Sequence, residues 1–514
     1  MKNPLSYLHP KNENAPLIYL AILKFIFLLI FAGNYGIFRD EYYYIECSKH
    51  LAWGYVDQPP LSIFILFISR TLFGDSLLAI RIFAYIASCV TVFMSGLIAR
   101  EMGGGKFAQG LTAFAVIFCG VILGTGSYFS MNAFDILLSA ILFYYIIKLL
   151  KTGNKKLWLV IGLIFGIGLM NKLTFLFLGF GFAVGLILTK NRKYLLTKEL
   201  WIGAAIAFLI VLPNIIWQMV NHFPTVEFMR NASEYKNARF SPISFLLGSF
   251  LELNPSSVIL LIAALYFLFF NNEGKKFVLA AIIYLSVLLV FMVFNGKPYY
   301  MGVLYPVILA SGAVGIDYLI QRYLKNWARY VLVIVFLLPG YLFALPFAVP
   351  VFNVDTFIKY SEATGIKPAS GERSTLGKLP QFFADRFGWK DMVKKVAVAY
   401  NKLSDEEKKK VIIFGNNYGE AGAVNYYRKE FGLPEAISNH NSFWIWGVPK
   451  DYDGSVMIVI GSNLEDNSKH FEDVQLAASH RSKYGVPYEN VDIFICRKLK
   501  GDLKDVWPKL KHFI

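Results

Sequence analysis

Over the first 350 residues, long apolar runs alternate with short polar loops, and the chain then changes to shorter, alternating segments. At ~15 to 20 apolar residues per crossing, the runs predict eleven membrane helices, near 16–34, 77–99, 107–124, 131–150, 156–171, 173–189, 200–219, 256–270, 276–294, 300–320 and 328–347. No cleavage site of small residues follows the first run, "APLIYLAILKFIFLLIFAG", so it reads as a retained span, and Lys24 within it suits a bundle interior or an interface. Residues 60–75, "PLSIFILFISRTLFGD", are apolar but short and begin at Pro59-Pro60. They predict a helix in the outer interface or a re-entrant segment rather than a span.

The loops differ in charge. "KLLKTGNKK", "TKNRKYLLTKEL", "NNEGKK" and "QRYLKNWAR" are basic, whereas "TGSYFSMNAFD", residues 221–257 and "NGKPYY" are poorer in positive charge. The positive-inside rule then predicts a cytoplasmic amino terminus and an extracytoplasmic loop at 34–76. Beyond residue 350, helical "SDEEKKKVII" runs into a strand and is followed by strands "SVMIVIGS" and "VDIFICRKL". This alternation predicts a small α/β domain over 350–514, outside the membrane. Gly415, Gly419 and Gly422 lie where a strand passes into a helix; their spacing is not GxGxxG and reads as a tight turn rather than a phosphate loop.

Composition agrees with a multi-pass membrane protein: 56% of the 514 residues are hydrophobic and 17% charged, with a mean hydropathy of +0.48. The formal charge of +16 does not point to nucleic acid, because the lysines and arginines sit in short loops where they orient the spans. Cys47, Cys89, Cys119 and Cys496 lack metal-ligand spacing, and His222 has no second histidine near it, so no metal site is expected.

The chemistry-bearing stretch is "FRDEYYYIECSKHLAWGYVDQPPL", residues 38–61, which sets Arg39, Asp40, Glu41, Glu46 and Asp57 among aromatics beside apolar runs. Acidic groups there are costly unless solvated, paired or used. Asp40 precedes a helical run and could cap it, and Asp57 before Gln-Pro-Pro could begin a turn. A cap alone would not call for so many carboxylates. Tyr42, Tyr43, Tyr44 and Trp53 suit either stacking on a sugar or an interfacial belt.

This arrangement resembles the GT-C glycosyltransferases, and within them glycosyltransferase family 39, which includes dolichyl-phosphate-mannose-protein mannosyltransferases, and the related lipid A aminoarabinose transferases. The likeness spans residues ~10 to 350 and extends to "MNAFDILL", with Asn132 and Asp135, to "LMNKLTFL", with Lys172, and to "GKPYYMGVLYP", with Lys297, Tyr299 and Tyr300. It implies a GT-C transmembrane domain at 1–349 and transfer of a sugar from a polyprenyl-phosphate donor to a glycolipid, cell-envelope glycan or protein at the extracytoplasmic face of a bacterial inner membrane. It implies Asp40 as general base, aided by Glu41 and Asp57, with Tyr43, Tyr44, Gln58, Asn132, Asp135, Tyr299 and Tyr300 toward substrate. Gln58 stands where the lipid A enzymes carry a phosphate-binding lysine, so the phosphate contact is expected elsewhere.

The chemistry of the reaction asks for the same groups. A breaking sugar–phosphate bond leaves positive charge on the sugar and negative charge on the phosphate, which calls for a carboxylate near the acceptor hydroxyl and fixed cations near the phosphate. Lys172, Lys297 and Arg39 are the expected phosphate contacts; Lys172 interrupts an apolar hairpin, although a snorkelling or anchoring lysine gives the same pattern. No cofactor is required, and a divalent cation is left open. The rival reading is a transporter or flippase of polyprenyl-linked saccharides, but the chain shows no internal repeat and its informative charges gather at one face.

Overall fold

The computed structural model describes residues 12–450 and 452–514, so the start of the expected cytoplasmic amino terminus lies outside the described residues. The chain forms two compact units, one of residues up to Asn34, Phe73–Ile216 and Arg239–Val351, the other of Tyr35–Leu72, Trp217–Ala238 and Phe352–Ile514. Residues 35–72 and 217–238 fall in the unit of the carboxy-terminal residues rather than in that of the apolar runs around them.

In the first unit every predicted apolar stretch contains a helix, from Ala15–Ile30 to Leu338–Ala348. Polar side chains set several starts: the Ser76 hydroxyl accepts from the Ala79 N–H at 3.2 Å, and Gly153, with φ of 67°, ends Met131–Thr152 in the left-handed conformation. Six helices among the described residues are long and apolar enough to cross a membrane, or eight if each of two bent pairs counts as one span. Four shorter apolar helices, Ala15–Ile30, Leu61–Phe73, Lys106–Ile117 and Leu157–Leu169, fall below that length. Hydropathy reports apolarity and not direction: the pair Pro242–Leu253 and Pro255–Phe270 bends by 95° at Asn254, whose φ is +88°, just before a proline that cannot continue the first helix. Small residues allow backbones to meet. A Cβ on Gly312 would fall 2.1 Å from the Leu260 carbonyl oxygen, and one on Gly162 would fall 2.1 Å from that of Gly203. Lys24 is buried at 1% exposure, as a bundle-interior position would have it.

The second unit contains a five-stranded sheet of β1 (Ile412–Gly415), β2 (Ala436–Ile437), β3 (Val456–Ile460), β4 (Phe471–Ser479) and β5 (Asp492–Leu499), in the order β2-β1-β3-β5-β4. β1 runs parallel to β2 and β3, while β5 is antiparallel to β3 and β4. The central β3, "VMIVI", is buried throughout, as a strand covered on both faces should be. β4 lies at an edge and is largely exposed, so its polar sequence carried no strand signal, and the two-residue β2 was too short to give one. Residues Leu61–Phe73 form a helix of 13 residues, shorter than a span, with Phe64, Phe67, Leu72 and Phe73 exposed.

The helix Tyr418–Phe431 joins β1 to β2 and packs against the helix Arg39–Lys49. The glycines at the strand-to-helix turn make this packing close. A Cβ on Gly419 would come within 2.7 Å of Arg39 Cγ, and one on Gly422 within 3.0 Å of the Tyr42 carbonyl carbon. Gly422→Val should therefore destabilise the protein by about 1–3 kcal/mol through overpacking, although valine is the better helix former. Thermal unfolding of the purified protein checks this: a Tm equal to or above that of the parent would show that the two helices are not held at glycine distance.

Candidate functional site

In the second unit, the first turn of Arg39–Lys49 carries Arg39, Asp40 and Glu41 side by side, and each has a different task. Glu41 is fully buried, and its Oε2 accepts the Phe38 N–H at 2.8 Å, which ties down the start of the helix. Arg39 is 7% exposed and sits among carboxylates: Asp40 at 3.6 Å, Asp385 at 3.9 Å, and Glu372 and Glu489 each at 4.0 Å. It also donates to the Tyr488 hydroxyl. Its charge is thus engaged within the protein. Asp40 keeps 28% of its side chain exposed, and its Oδ1 accepts the Tyr418 hydroxyl at 2.8 Å. The position of Tyr418 follows from its helix start, where Asn417 Oδ1 accepts the N–H groups of Gly419 and Glu420 at 2.8 and 3.0 Å.

Asp57 lies in the same unit. Its Oδ1 accepts the Tyr43 hydroxyl at 2.9 Å, and that hydroxyl is also 2.7 Å from Ser442 Oγ. Burial pushes the Asp57 carboxyl up to about 6; the Tyr43 hydrogen bond opposes the rise and the Asp40 charge adds to it. Gln58 is 1% exposed, and its side-chain amide has no hydrogen-bond partner among the described residues. Tyr43 and Tyr44, expected to face a substrate, are buried at 1% and 4%; the Tyr43 ring packs 4.8 Å from that of Tyr418, and its hydroxyl serves Asp57. Tyr42 packs against Trp389, Tyr426 and Tyr427, which accounts for it as core.

The first unit gathers the remaining expected residues. Lys172 Nζ donates to Asn132 Oδ1 at 2.6 Å and lies 4.7 Å from the Tyr300 ring and 5.3 Å from that of Tyr299. Thr174 Oγ1 donates to Asp135 Oδ2 at 2.6 Å, and the Lys172 ammonium feels both the opposite charge of Asp135 and the like charge of Lys297. Seven residues from three distant stretches thus form one polar and aromatic cluster at the ends of apolar helices.

Sequence reasoning missed the groups that surround Arg39 and Asp40 from the carboxy-terminal part: Glu372, Asp385, Tyr418 and Glu489. They lie more than 300 positions away and carry no motif, so no local signal could have joined them to Asp40. Glu420 and Glu489 are buried at 2% and 6%, and burial raises both carboxyls. A cavity of about 260 Å³ opens beside this cluster, with Arg39, Lys236, Glu372, Tyr418 and Glu489 among its lining. Among the described residues no group of three or more His, Cys, Asp or Glu side chains is placed to hold a metal.

The cluster should show in the pH dependence of stability. Burial pushes the Asp385 carboxyl from its ordinary 3.8 up to about 7, with Arg39 opposing the rise and Asp40, Glu372 and Glu489 adding to it. An acid so shifted binds its proton more tightly in the folded state. Its contribution is complete below the ordinary value and is lost as pH rises through about 7. Asp385→Asn cannot titrate and should fall less in Tm than the parent between pH 4 and 7; parallel slopes in a melting series would contradict the assignment.

Comparison with known proteins adds kinship to this geometry. A family model described as dolichyl-phosphate-mannose-protein mannosyltransferase matches residues 57–217, a stretch that begins at Asp57 and leaves Asp40 outside. The chain is similar to the undecaprenyl phosphate-alpha-4-amino-4-deoxy-L-arabinose arabinosyl transferase of Pseudomonas paraeruginosa, with 22% identity over 40% of each chain. A second such enzyme, from Pseudomonas fluorescens, is 24% identical over 52% of this chain and 50% of its own. The matched stretches thus span half or less of these curated relatives. Among solved structures, ArnT from Cupriavidus metallidurans in the apo state superposes with a TM-score of 0.62 at 12% identity, over 93% of this chain and 97% of its own. The Archaeoglobus fulgidus oligosaccharyltransferase tethered with an acceptor peptide gives 0.52 at 12% identity, over 82% of this chain and 64% of its own. The chain therefore has the GT-C glycosyltransferase fold and is related to the aminoarabinose transferases.

Proposed function

We propose that the chain is a membrane glycosyltransferase that moves a sugar from a polyprenyl-phosphate donor to an acceptor hydroxyl at the extracytoplasmic face. The observation that carries this reading is the state of Asp40: a part-exposed carboxylate, oriented by the Tyr418 hydroxyl at 2.8 Å. The relatives support the donor class, since one structure of ArnT from Cupriavidus metallidurans is bound to undecaprenyl phosphate.

In this mechanism Asp40 takes the proton of the acceptor hydroxyl as its oxygen attacks the anomeric carbon. The bond from that carbon to the phosphate oxygen breaks, and polyprenyl phosphate leaves with the electron pair. Lys172 and Lys297 meet the growing phosphate charge, because charge-assisted contacts to an anion are the stronger ones; Lys172 is held beside the Tyr299 and Tyr300 rings. Arg39 is reassigned. With four carboxylates around it, it holds the turn that carries Asp40 and has no role toward the phosphate. Glu41 anchors the same turn through Phe38, and Asp57, linked through Tyr43 to Ser442, supports it from the following loop.

Asp40→Asn should lose roughly 10²- to 10⁴-fold in transfer, the usual share of a positioned base, while donor binding persists. Sugar transfer by folded variants, set against binding of undecaprenyl phosphate to the same samples, tests this. Full activity in Asp40→Asn would reduce the residue to a helix cap, since Asn caps as well as Asp. The sidedness rests on the basic loops, so a cysteine at position 192 should resist an impermeant thiol reagent in intact cells, and labelling there from outside would reverse the orientation.

A further inference from the structure

Two basic loops of the first unit come together although a helical hairpin, Leu157–Leu169 and Thr174–Leu188, separates them in sequence. The Trp158 ring lies 5.6 Å from that of Tyr194, which is buried at 3%, and a Cβ on Gly203 would fall 2.3 Å from the Trp158 carbonyl oxygen. The segment Lys190–Leu196, which carries Tyr194, leaves the direction of Thr174–Leu188 by a bend of 109° and so turns across it. Lys155 and Lys156 stand just before Trp158, while Lys190, Arg192, Lys193 and Lys198 flank Tyr194. The contact between the two rings therefore sets both groups of cations at one end of the helices.

These six side chains are exposed, and none makes an ion pair among the described residues; Lys193 Nζ lies 5.4 Å from the Tyr194 ring. Basic side chains of neighbouring loops do find carboxylates: Lys151 meets Glu101 at 3.0 Å, Lys276 meets Glu273 at 2.8 Å and Arg329 meets Asp317 at 2.7 Å. Between residues 151 and 203 the sequence holds one carboxylate, Glu199. Orienting the spans needs positive charge in each loop, but it does not need separate loops to converge with their charges unmatched. Cations gathered in this way repel one another unless a counterion joins them. Apolar side chains stand among them as well. Leu188, Leu196 and Trp201 are 69%, 92% and 61% exposed, and the Trp201 indole donates to the Leu195 carbonyl at 2.9 Å. A soluble anion would leave this apolar surface in water, whereas a phospholipid sets its phosphate beside hydrocarbon.

We propose that this end of the first unit binds an anionic phospholipid, whose phosphodiester lies among Lys155, Lys156, Lys190, Arg192, Lys193 and Lys198 and whose acyl chains lie beside Leu188, Leu196 and Trp201. Such binding involves none of the residues assigned to sugar transfer, and its detection needs no turnover. It therefore stands or falls apart from the transferase reading.

The test offers the full chain in detergent phosphatidylglycerol, cardiolipin, phosphatidylethanolamine and phosphatidylcholine, and reads the retained lipid by native mass spectrometry. Phosphatidylglycerol or cardiolipin should be retained in preference to the other two by about tenfold or more. The double variant Lys155→Gln/Lys156→Gln and the triple variant Lys190→Gln/Arg192→Gln/Lys193→Gln should each weaken that retention by about tenfold or more, because each cation near a lipid surface adds to the attraction. Lys275→Gln/Lys276→Gln, in another basic loop, should retain anionic lipid as the parent does. Salt supplies a readout that needs no variant: retention by the parent should fall between roughly 0.05 and 0.5 M sodium chloride as the charges are screened. Should either cluster variant fail to accumulate in the membrane, the lipid preference of the parent and its salt dependence decide the matter. Equal retention of all four lipids, retention unchanged in both cluster variants, the same loss in the Lys275/Lys276 control, or indifference to salt would each overturn the proposal. Displacement of phosphatidylglycerol by millimolar inorganic phosphate would assign the cations to a free anion and overturn it as well.

Discussion

The second unit is organised around one buried guanidinium. Arg39 lies among Asp40, Glu372, Asp385 and Glu489, which come from three separate stretches of the chain. Removing charge from water is expensive and is offset only when opposite charges and hydrogen bonds are already in place, so this cation and these acids require one another. The Arg39 N–H also donates to the Asp385 carbonyl at 3.0 Å, so backbone and side chain fix the same junction. Loss of one partner in such a network typically costs about 3–5 kcal/mol, because the others are left buried and uncompensated. The acids outnumber the cation, and the excess appears as carboxyls raised by burial.

A second constraint is steric and serves the same end. The Tyr418 ring reaches Asp40 because its helix lies close against Arg39–Lys49, and it lies close because Gly419 and Gly422 leave room for Arg39 and the Tyr42 backbone. Asn417 fixes where that helix starts and hence where Tyr418 stands. The strand-to-helix turn that resembles a phosphate loop in composition is a packing device here, and its product is an oriented carboxylate.

In the first unit the corresponding problem is a lysine in an apolar hairpin. Lys172 is accommodated by an amide oxygen, two aromatic faces and the opposite charge of Asp135, which offset part of the cost of burying the ammonium. Arg39, by contrast, is enclosed by carboxylates.

Hydropathy by itself determined that the chain is a membrane protein, where its helical segments lie, and that a different kind of structure begins near residue 350, because apolar length and strand-like alternation are local properties. The motifs around Asp40, Lys172 and Lys297 were also legible as stretches of interest, since charge beside apolar sequence stands out wherever it occurs. Local pattern did not carry direction: the 95° bend at Asn254 between two apolar helices has no signature in hydropathy. Nor did it carry partnership. Whether Arg39 serves a phosphate or a set of carboxylates, and whether Glu41 reacts or only ties a helix end, depends on what stands opposite. For Arg39 the decisive neighbours are Glu372, Asp385 and Glu489, more than 300 residues distant. A charge takes its role from the charges and dipoles within a few ångströms of it, and only the tertiary structure decides which residues those are.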